Sequence, residues 1–517
     1  MILHPDYGKT PKAPSPEAQR RAQARESAIR RAAAAAAEHK NSKKSQKPPR
    51  KPNGRRGLPV DAPAMPAELK EVNLNAAGID IGATVHYVCV PEGRDSQSVR
   101  HFGGFTADLE AIADWLTQCG VTTVAMEATG VYWIPLFELL ARRGFDVNLA
   151  EPSRLKQVPG RKSDYLDCQW IQRLHTFGLL HASFRPADSI CVLRSFVRQR
   201  QTLVRSAGRC VQHMQKALTQ MNIKLQHVIS DITGVTGMAI LNAILAGERD
   251  PHKLAELRHG TCKNNEATIA LALQGNWRED HLFALKQAME TYRHFLEKLA
   301  ELDAQIEGHL KTFEDKSQGQ PLERRPKRSK RAATEPAFDL GNYLYTMTGI
   351  DLTTVDGLET RTVLTVISEI GLDMSRWPTD KHFTSWLTLA PGVNKTGGRS
   401  QSKHAPTRPS SNRAAAALRM AASTLLHVDC ALGGFARRMR AHLGAPKAIT
   451  ATARKLAIII YHMLKYGKAY VDRGEQYYQE QYRAQMVKNL KRRAKQLGFD
   501  LVAAAALPAA PETSTQA

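Results

Sequence analysis

Four carboxylates carry the strongest chemical signal in the sequence. Asp80 interrupts an apolar run between Ile79 and Ile81, with Gly78 and Gly82 on either side. Glu127 closes the apolar run VTTVAM and is followed by Ala-Thr-Gly-Val-Tyr. Asp164 and Asp167 stand three residues apart in RKSDYLDCQWIQRL, a spacing that puts both on one face of a helix. A carboxylate inside a sheet core costs several kcal/mol unless it is paired or holds a metal. Four of them in one region make sense if divalent cations neutralise them. Hard Mg²⁺ ions take oxygen ligands, and a pair about 3.5–4 Å apart activates an attacking oxygen and stabilises a leaving one, which is two-metal phosphoryl chemistry. Taken singly, each group also has an ordinary reading. A strand Asp is often a hydrogen-bonded edge residue, and Asp164 and Asp167 fit a first-turn pair after Ser163 that the helix dipole favours. Their order along one α/β stretch favours a common site.

The elements that must hold these groups follow from periodicity and punctuation. Ala76–Val90 reads as a strand run broken by glycine, with Arg100–Phe105 as its hairpin partner. Leu109–Gly120 is an amphipathic helix, Val121–Glu127 a short strand, Tyr132–Gly144 a helix ending at glycine and Phe145–Ala150 a strand. That alternation predicts a mixed sheet flanked by helices, in a domain spanning 73–187. Residues 188–315 are helical. Leu285, Met289, Tyr292, Leu296, Leu299, Ile306 and Leu310 follow 3–4 spacing, interrupted by Asp303, which fits either a coiled-coil arm or an ordinary core helix. A second helical domain is expected over 338–470, and 471–517 as a helix followed by a disordered tail. Within the second domain, Met347–Gly371 reads as an αα-hairpin. Asp356-Gly357-Leu358 stands where a DNA-gripping helix-hairpin-helix would carry a Gly-x-Gly turn.

The charge narrows the partners. The 517 residues hold 73 Lys+Arg against 49 Asp+Glu, a net +24. Residues 1–60 alone have 15 basic against 4 acidic side chains and almost no large apolar ones, so 1–72 is expected to be a basic disordered extension. Lys316–Arg331 adds seven basic residues against one Glu, inside a linker over 316–337. Two such runs on a basic chain point to a nucleic acid, without choosing DNA over RNA. No apolar run approaches the length of a membrane helix, and the basic start lacks the apolar stretch of a secretory signal. The seven cysteines contain no CxxC pair, which argues against a disulfide framework or a zinc finger and for a reducing compartment. Aromatics make up 6% of the chain, so base-stacking platforms are not prominent.

GIDIG, AMEATGVYW and KSDYLDCQW resemble the DEDD, RuvC-like domain of the IS110-family transposases, also called recombinases. The resemblance continues through EPSRLKQVPGRKSD, the helical middle and LAPGVNKTGGRSQS…NRAAAALRMAA, and covers most of 74–470; the basic N-terminal extension lies outside the pattern. It implies an RNase H-like α/β fold followed by mostly helical, coiled-coil and C-terminal catalytic domains. Asp80, Glu127, Asp164 and Asp167 would form an acidic tetrad holding Mg²⁺. The likeness further implies cutting and joining of DNA at the ends of an insertion element and at its target. It also implies a non-coding guide RNA, a homo-oligomer (dimer or tetramer), no membrane, and a bacterial cytoplasm with association to the nucleoid.

In that family the acidic site is joined to a serine of the C-terminal domain that attacks DNA covalently. The matching position here is Thr396, whose extra methyl restricts χ1 and crowds an in-line approach. Ser400 and Ser402 follow within six residues and stand as alternatives. Lys395, Arg399 and Lys403, with Gly397 and Gly398 between them, suit a loop pressed against a phosphate. Activation of the hydroxyl would come from the acidic site of a neighbouring subunit, as the family implies. Two rival readings need less: a RuvC-like structure-selective nuclease uses the carboxylates and water alone, and an inactive descendant keeps only nucleic-acid binding.

Overall fold

Short apolar stretches rich in small and branched side chains build the sheet of the N-terminal part. It consists of β1 (Ala76–Ile81), β2 (Val85–Cys89), β3 (Val99–Gly103), β4 (Thr123–Glu127) and β5 (Asp146–Ala150). The structure is a computed structural model that describes residues 70–501, apart from 129, 151–162, 181, 323–332, 393–394, 397–398, 401–411 and 473. The first 69 residues of the basic extension, the centre of the 316–337 linker and the end of the tail therefore lie outside the described residues.

The chain divides into two compact units, 1–184 and 185–517. In the first, the strand order is β3-β2-β1-β4-β5, with β1, β4 and β5 parallel and β2 and β3 antiparallel to their neighbours. One expectation is corrected: Ala76–Val90 is not a single run but a hairpin. Gly82 donates its N–H to the Val85 carbonyl, and a Cβ at Gly82 would lie 2.5 Å from that oxygen, so the chain reverses there. The predicted hairpin partner then pairs with β2 as β3.

Two helices, α1 (Thr106–Gln118) and α2 (Trp133–Arg142), cover one sheet face. Ala77, Ile79, Ile81, Val124 and Met126 pack there against Ile112, Leu116, Leu136 and Leu140. A strand alternates its faces, so Gly78, Asp80, Ala125 and Glu127 point to the other side. That side is covered by α3 (Asp164–Thr176), through Ile171 against Ala125 and Ala150.

The second unit is helical. Two long helices, α4 (Asp188–Gln220) and α5 (Glu279–Leu310), lie along one another, joined by shorter helices. Of the predicted stripe, Leu285, Met289, Tyr292, Leu299, Ile306 and Leu310 are buried and Leu296 is half-buried, the two long helices packing along one another. Asp303, the break in that stripe, is also buried and pairs with Arg200 of α4. The remaining helices are α6 (Leu340–Thr348), α7 (Thr360–Ile370), α8 (Asp380–Trp386), α9 (Arg413–Thr424), α10 (Ala431–Leu443), α11 (Ala445–Tyr466) and α12 (Gly474–Gln496). Of these, α7 packs against α4. Arg194 donates to the Ser368 and Glu369 carbonyls at the C-terminus of α7, and Arg198 grips the Glu369 carboxylate with two bonds of 2.8 Å. Helix-end carbonyls lack partners within the helix, so a guanidinium there meets a real need. Among the described residues no single helix is long and apolar enough to cross a membrane.

Candidate active site

Asp80 and Glu127 sit at the carboxyl ends of neighbouring parallel strands. The last registered pair of β1 and β4 is Ile79 with Met126, and the two carboxylates follow one residue later. Both are half-buried. Ligand sites of open α/β sheets gather outside the carboxyl ends of parallel strands, because loops and helix starts converge there.

Helix α3 brings in the other two. Its N-cap Ser163 accepts from the Leu166 N–H, and Asp164 and Asp167 occupy the first turn, where the dipole favours negative charge. The helix is fixed to the sheet by Gln172 Nε2 donating to the Ala76 carbonyl at 3.2 Å, and by the buried His175 ring, 2.8 Å from Thr123 Oγ1. Gly78 allows this fit. A Cβ there would stand 2.2 Å from the Gln172 backbone nitrogen and 2.5 Å from the Cys168 carbonyl. The glycine two residues before Asp80 thus lets a helix backbone press onto the strand and set Asp164 and Asp167 beside it.

The electrostatics record the convergence. The Asp80 carboxyl is pushed up to about 7, first by burial and then by repulsion from Asp164, Glu127 and Asp167. All four predicted carboxylates therefore share one patch. Beside it, a hydrogen bond with Cys89, burial and the Asp80 charge push the Cys168 thiol up, which keeps it protonated. These two cysteines lie 79 positions apart and their proximity has no signal in the sequence.

Other predicted residues lie in the second unit. Lys395–Thr396 pairs antiparallel with Arg399–Ser400, Lys395 opposite Ser400 and Thr396 opposite Arg399, so the loop contains a two-stranded ladder. Gly397, Gly398, Ser402 and Lys403 lie outside the described residues. Gly357, in the αα-hairpin before α7, takes a left-handed φ of +84° close to Leu425 and Ala421, which gives it a packing role. A further group of potential ligands, Asp356, Cys430 and Asp472, has atoms within 4.8 Å of one another. Cys430 Sγ accepts from the Gly433 N–H and Asp472 Oδ1 from the Ala431 N–H, so both serve the start of α10.

Family comparison agrees with this geometry. A transposase model of the DEDD, IS110 type matches residues 77–223, which include all of the sheet but its first residue, Ala76, and all four carboxylates. A second model, described as the transposase IS116/IS110/IS902 family, matches residues 351–434, which include the Lys395–Ser400 ladder. The chain belongs to the IS110 transposase family. No curated protein matches it. As an IS110-family transposase it acts on DNA, and domains of the DEDD type are typically metal-dependent. The donor set fits such a metal: four oxygen-bearing groups converge, and three of them repel the charge of the half-buried Asp80 carboxyl.

One consequence concerns the glycine. Gly78→Ala is expected to cost roughly 1–3 kcal/mol of stability through overpacking and to lower strand-joining activity by more than that loss explains, because α3 must lift and carry two carboxylates with it. Thermal melting and a recombination assay of the same variant check this. Full activity in Gly78→Ala would show that the close approach is dispensable.

Proposed function

We propose that this transposase is a Mg²⁺-dependent DNA recombinase that cuts and joins the strands of an insertion element, directed by an element-encoded non-coding RNA. The N-terminal unit would be an RNase H-like domain supplying the acidic centre, and the C-terminal unit would supply the attacking hydroxyl. The observation that carries this reading is the convergence of Asp80, Glu127, Asp164 and Asp167, with Asp80 pushed up to about 7 by burial and by the other three. These four residues would hold the ions. Bound divalent cations polarise a scissile phosphate and offset the charge that develops as it is attacked.

The remaining roles belong to the chain itself. A hydroxyl of Thr396, Ser400 or Ser402 attacks phosphorus, forms an enzyme–DNA phosphodiester and releases a DNA hydroxyl. Lys395, Arg399 and Lys403 offset the phosphate charge. Because the acidic centre and the hydroxyl loop belong to different units, a homo-oligomer offers a way to combine them between subunits. The basic N-terminal extension and Lys316–Arg331 suit the phosphates of a guide RNA.

The test is recombination in cells, with donor and target plasmids and the flanking non-coding sequence of the element. Wild type is compared with Asp80→Asn, Thr396→Ala and a Ser400→Ala/Ser402→Ala double variant. Loss in Asp80→Asn and in one hydroxyl variant is expected, the latter by at least about a hundredfold and with loss of a protein–DNA adduct. Loss in Asp80→Asn alone would point to water or another hydroxyl as the attacking group. No product from wild type, with the RNA present, would leave a protein that only binds.

A further inference from the structure

The last helix, α12, is anchored at one end and free at the other. Arg438 of α10 lies over the rings of Tyr478 and Tyr482, 5.2 and 3.8 Å from their centroids, and Phe435 meets Tyr478 edge-on at 6.3 Å. Beyond this aromatic clasp every residue from Gln481 to Asp500 is exposed, except Ala494, which is half-buried. The stretch from Gln481 to Gly498 carries six Lys and Arg residues and no Asp or Glu. Lys488, Lys491, Arg492 and Lys495 follow i, i+3, i+4, i+7 spacing and so form one stripe along the helix. Neither matched family segment, 77–223 or 351–434, includes it.

An all-basic stripe on a solvent-exposed helix has no use in the fold. Gathering four cations on one face costs repulsion; the helix dipole offsets it only in the last turn, and α12 holds no carboxylate after Glu480. A polyanion offsets it. A second copy of α12 would bring like charge to like charge, which disfavours self-association. The shape narrows the choice of polyanion: a single exposed α-helix fits the wide major groove of B-form DNA, whereas the major groove of A-form RNA is too narrow for it.

We propose that Lys488, Lys491, Arg492 and Lys495 of α12 form a docking face for the phosphate backbone of duplex DNA. The inference rests on the proposed DNA recombinase function and adds to it a surface distinct from the acidic patch and the Lys395–Ser400 ladder. The contact is one of charge and positions the duplex without reading its sequence. The exposed apolar side chains on the opposite side of the helix, Met486 and Leu490, take no part in it.

The test is equilibrium binding of the full chain to a labelled duplex of about three helical turns, followed across a salt series. Wild type is compared with Lys488→Gln/Lys491→Gln/Arg492→Gln/Lys495→Gln, and with Met486→Gln/Leu490→Gln on the apolar side. All substituted positions are exposed and Gln is a good helix former, so melting temperatures should not change. The basic-face variant is expected to bind at least about tenfold more weakly at moderate salt, with a log–log salt slope smaller by roughly 3 to 4, since each phosphate contact contributes about 0.9. The apolar-side variant should bind as wild type does. Equal affinity and equal slope in the basic-face variant would overturn the proposal while leaving the recombinase reading intact. A loss seen only with a hairpin RNA duplex, or only with anionic phospholipid vesicles, would overturn it in favour of those partners. Failure of wild type to bind any duplex would overturn the recombinase reading and this face together.

Discussion

Replacing Asp80 with Asn is expected to cut recombination by about a thousandfold or more, the ~4 kcal/mol that a metal-held charge lends to phosphoryl transfer, while raising the melting temperature of the metal-free protein. The two effects have one cause. Burial and three neighbouring carboxylates, Asp164, Glu127 and Asp167, lift the Asp80 carboxyl from 3.8 to about 7. The fold thus favours the protonated form. Asp80 contributes its full share of stability below about pH 4, and that share is lost as pH rises through about 7. Taken in full, the rise would amount to roughly 4 kcal/mol. Water still reaches the half-buried side chain, so about half of that, roughly 2 kcal/mol, is expected. Asn keeps the shape without the charge and removes this pH dependence. Adding millimolar Mg²⁺ should stabilise wild type, by about 2.7 kcal/mol at a hundredfold excess over Kd, and stabilise the variant far less. Melting scans between pH 4 and 8, with EDTA or Mg²⁺, measure all of this. An Asp80→Asn protein that recombines normally, or melts with the wild-type pH dependence, would remove Asp80 from the acidic centre.

The second large effect concerns stability, at a buried ion pair of the second unit. Arg200 of α4 and Asp303 of α5 are 7% and 5% exposed. The guanidinium meets the carboxylate with two bonds, 2.5 Å to Oδ1 and 3.0 Å to Oδ2, and Nη2 also donates to the Thr334 carbonyl at 2.7 Å. Removing one partner strands a charge in the interior. Asp303→Leu or Arg200→Met alone should therefore cost about 3–5 kcal/mol. The double variant should recover most of that loss, because matched apolar side chains replace a buried ion pair at little cost. Recovery should fall short by about 1 kcal/mol, the Thr334 carbonyl having lost its donor. Chemical denaturation of the two single variants and the double variant gives the coupling energy directly. A neutral Asp303→Leu single variant would show that the pair contributes nothing to the helix packing.

Much of the N-terminal unit was legible residue by residue. Period-two alternation and glycine punctuation in Ala76–Ala150 marked the strands, and the N-cap Ser163 with its acidic first turn marked α3. The hairpin at Gly82 was missed because the apolar pattern continues across it, and only a steric contact, Gly82 against the Val85 carbonyl, shows where the chain turns. Gly78 was noticed only as a neighbour of Asp80. Its reason is the helix backbone 94 positions later that presses against it.

The sequence by itself determined which side chains are available for chemistry and which local elements carry them, since periodicity, capping and charge runs act over a few residues. It named Asp80, Glu127, Asp164 and Asp167 and put Asp80 within a strand run, Glu127 at the end of a strand and the aspartate pair at the start of a helix. The tertiary structure alone decided what stands next to what. Register set Asp80 beside Glu127, docking at Gly78 brought Asp164 and Asp167 to them, and Cys89 met Cys168 on the same face. Asp303 looked like a flaw in an apolar stripe until packing supplied Arg200, 103 positions earlier. Such pairings depend on how whole faces bury against one another, and that long-range packing leaves no trace in the local pattern of the chain.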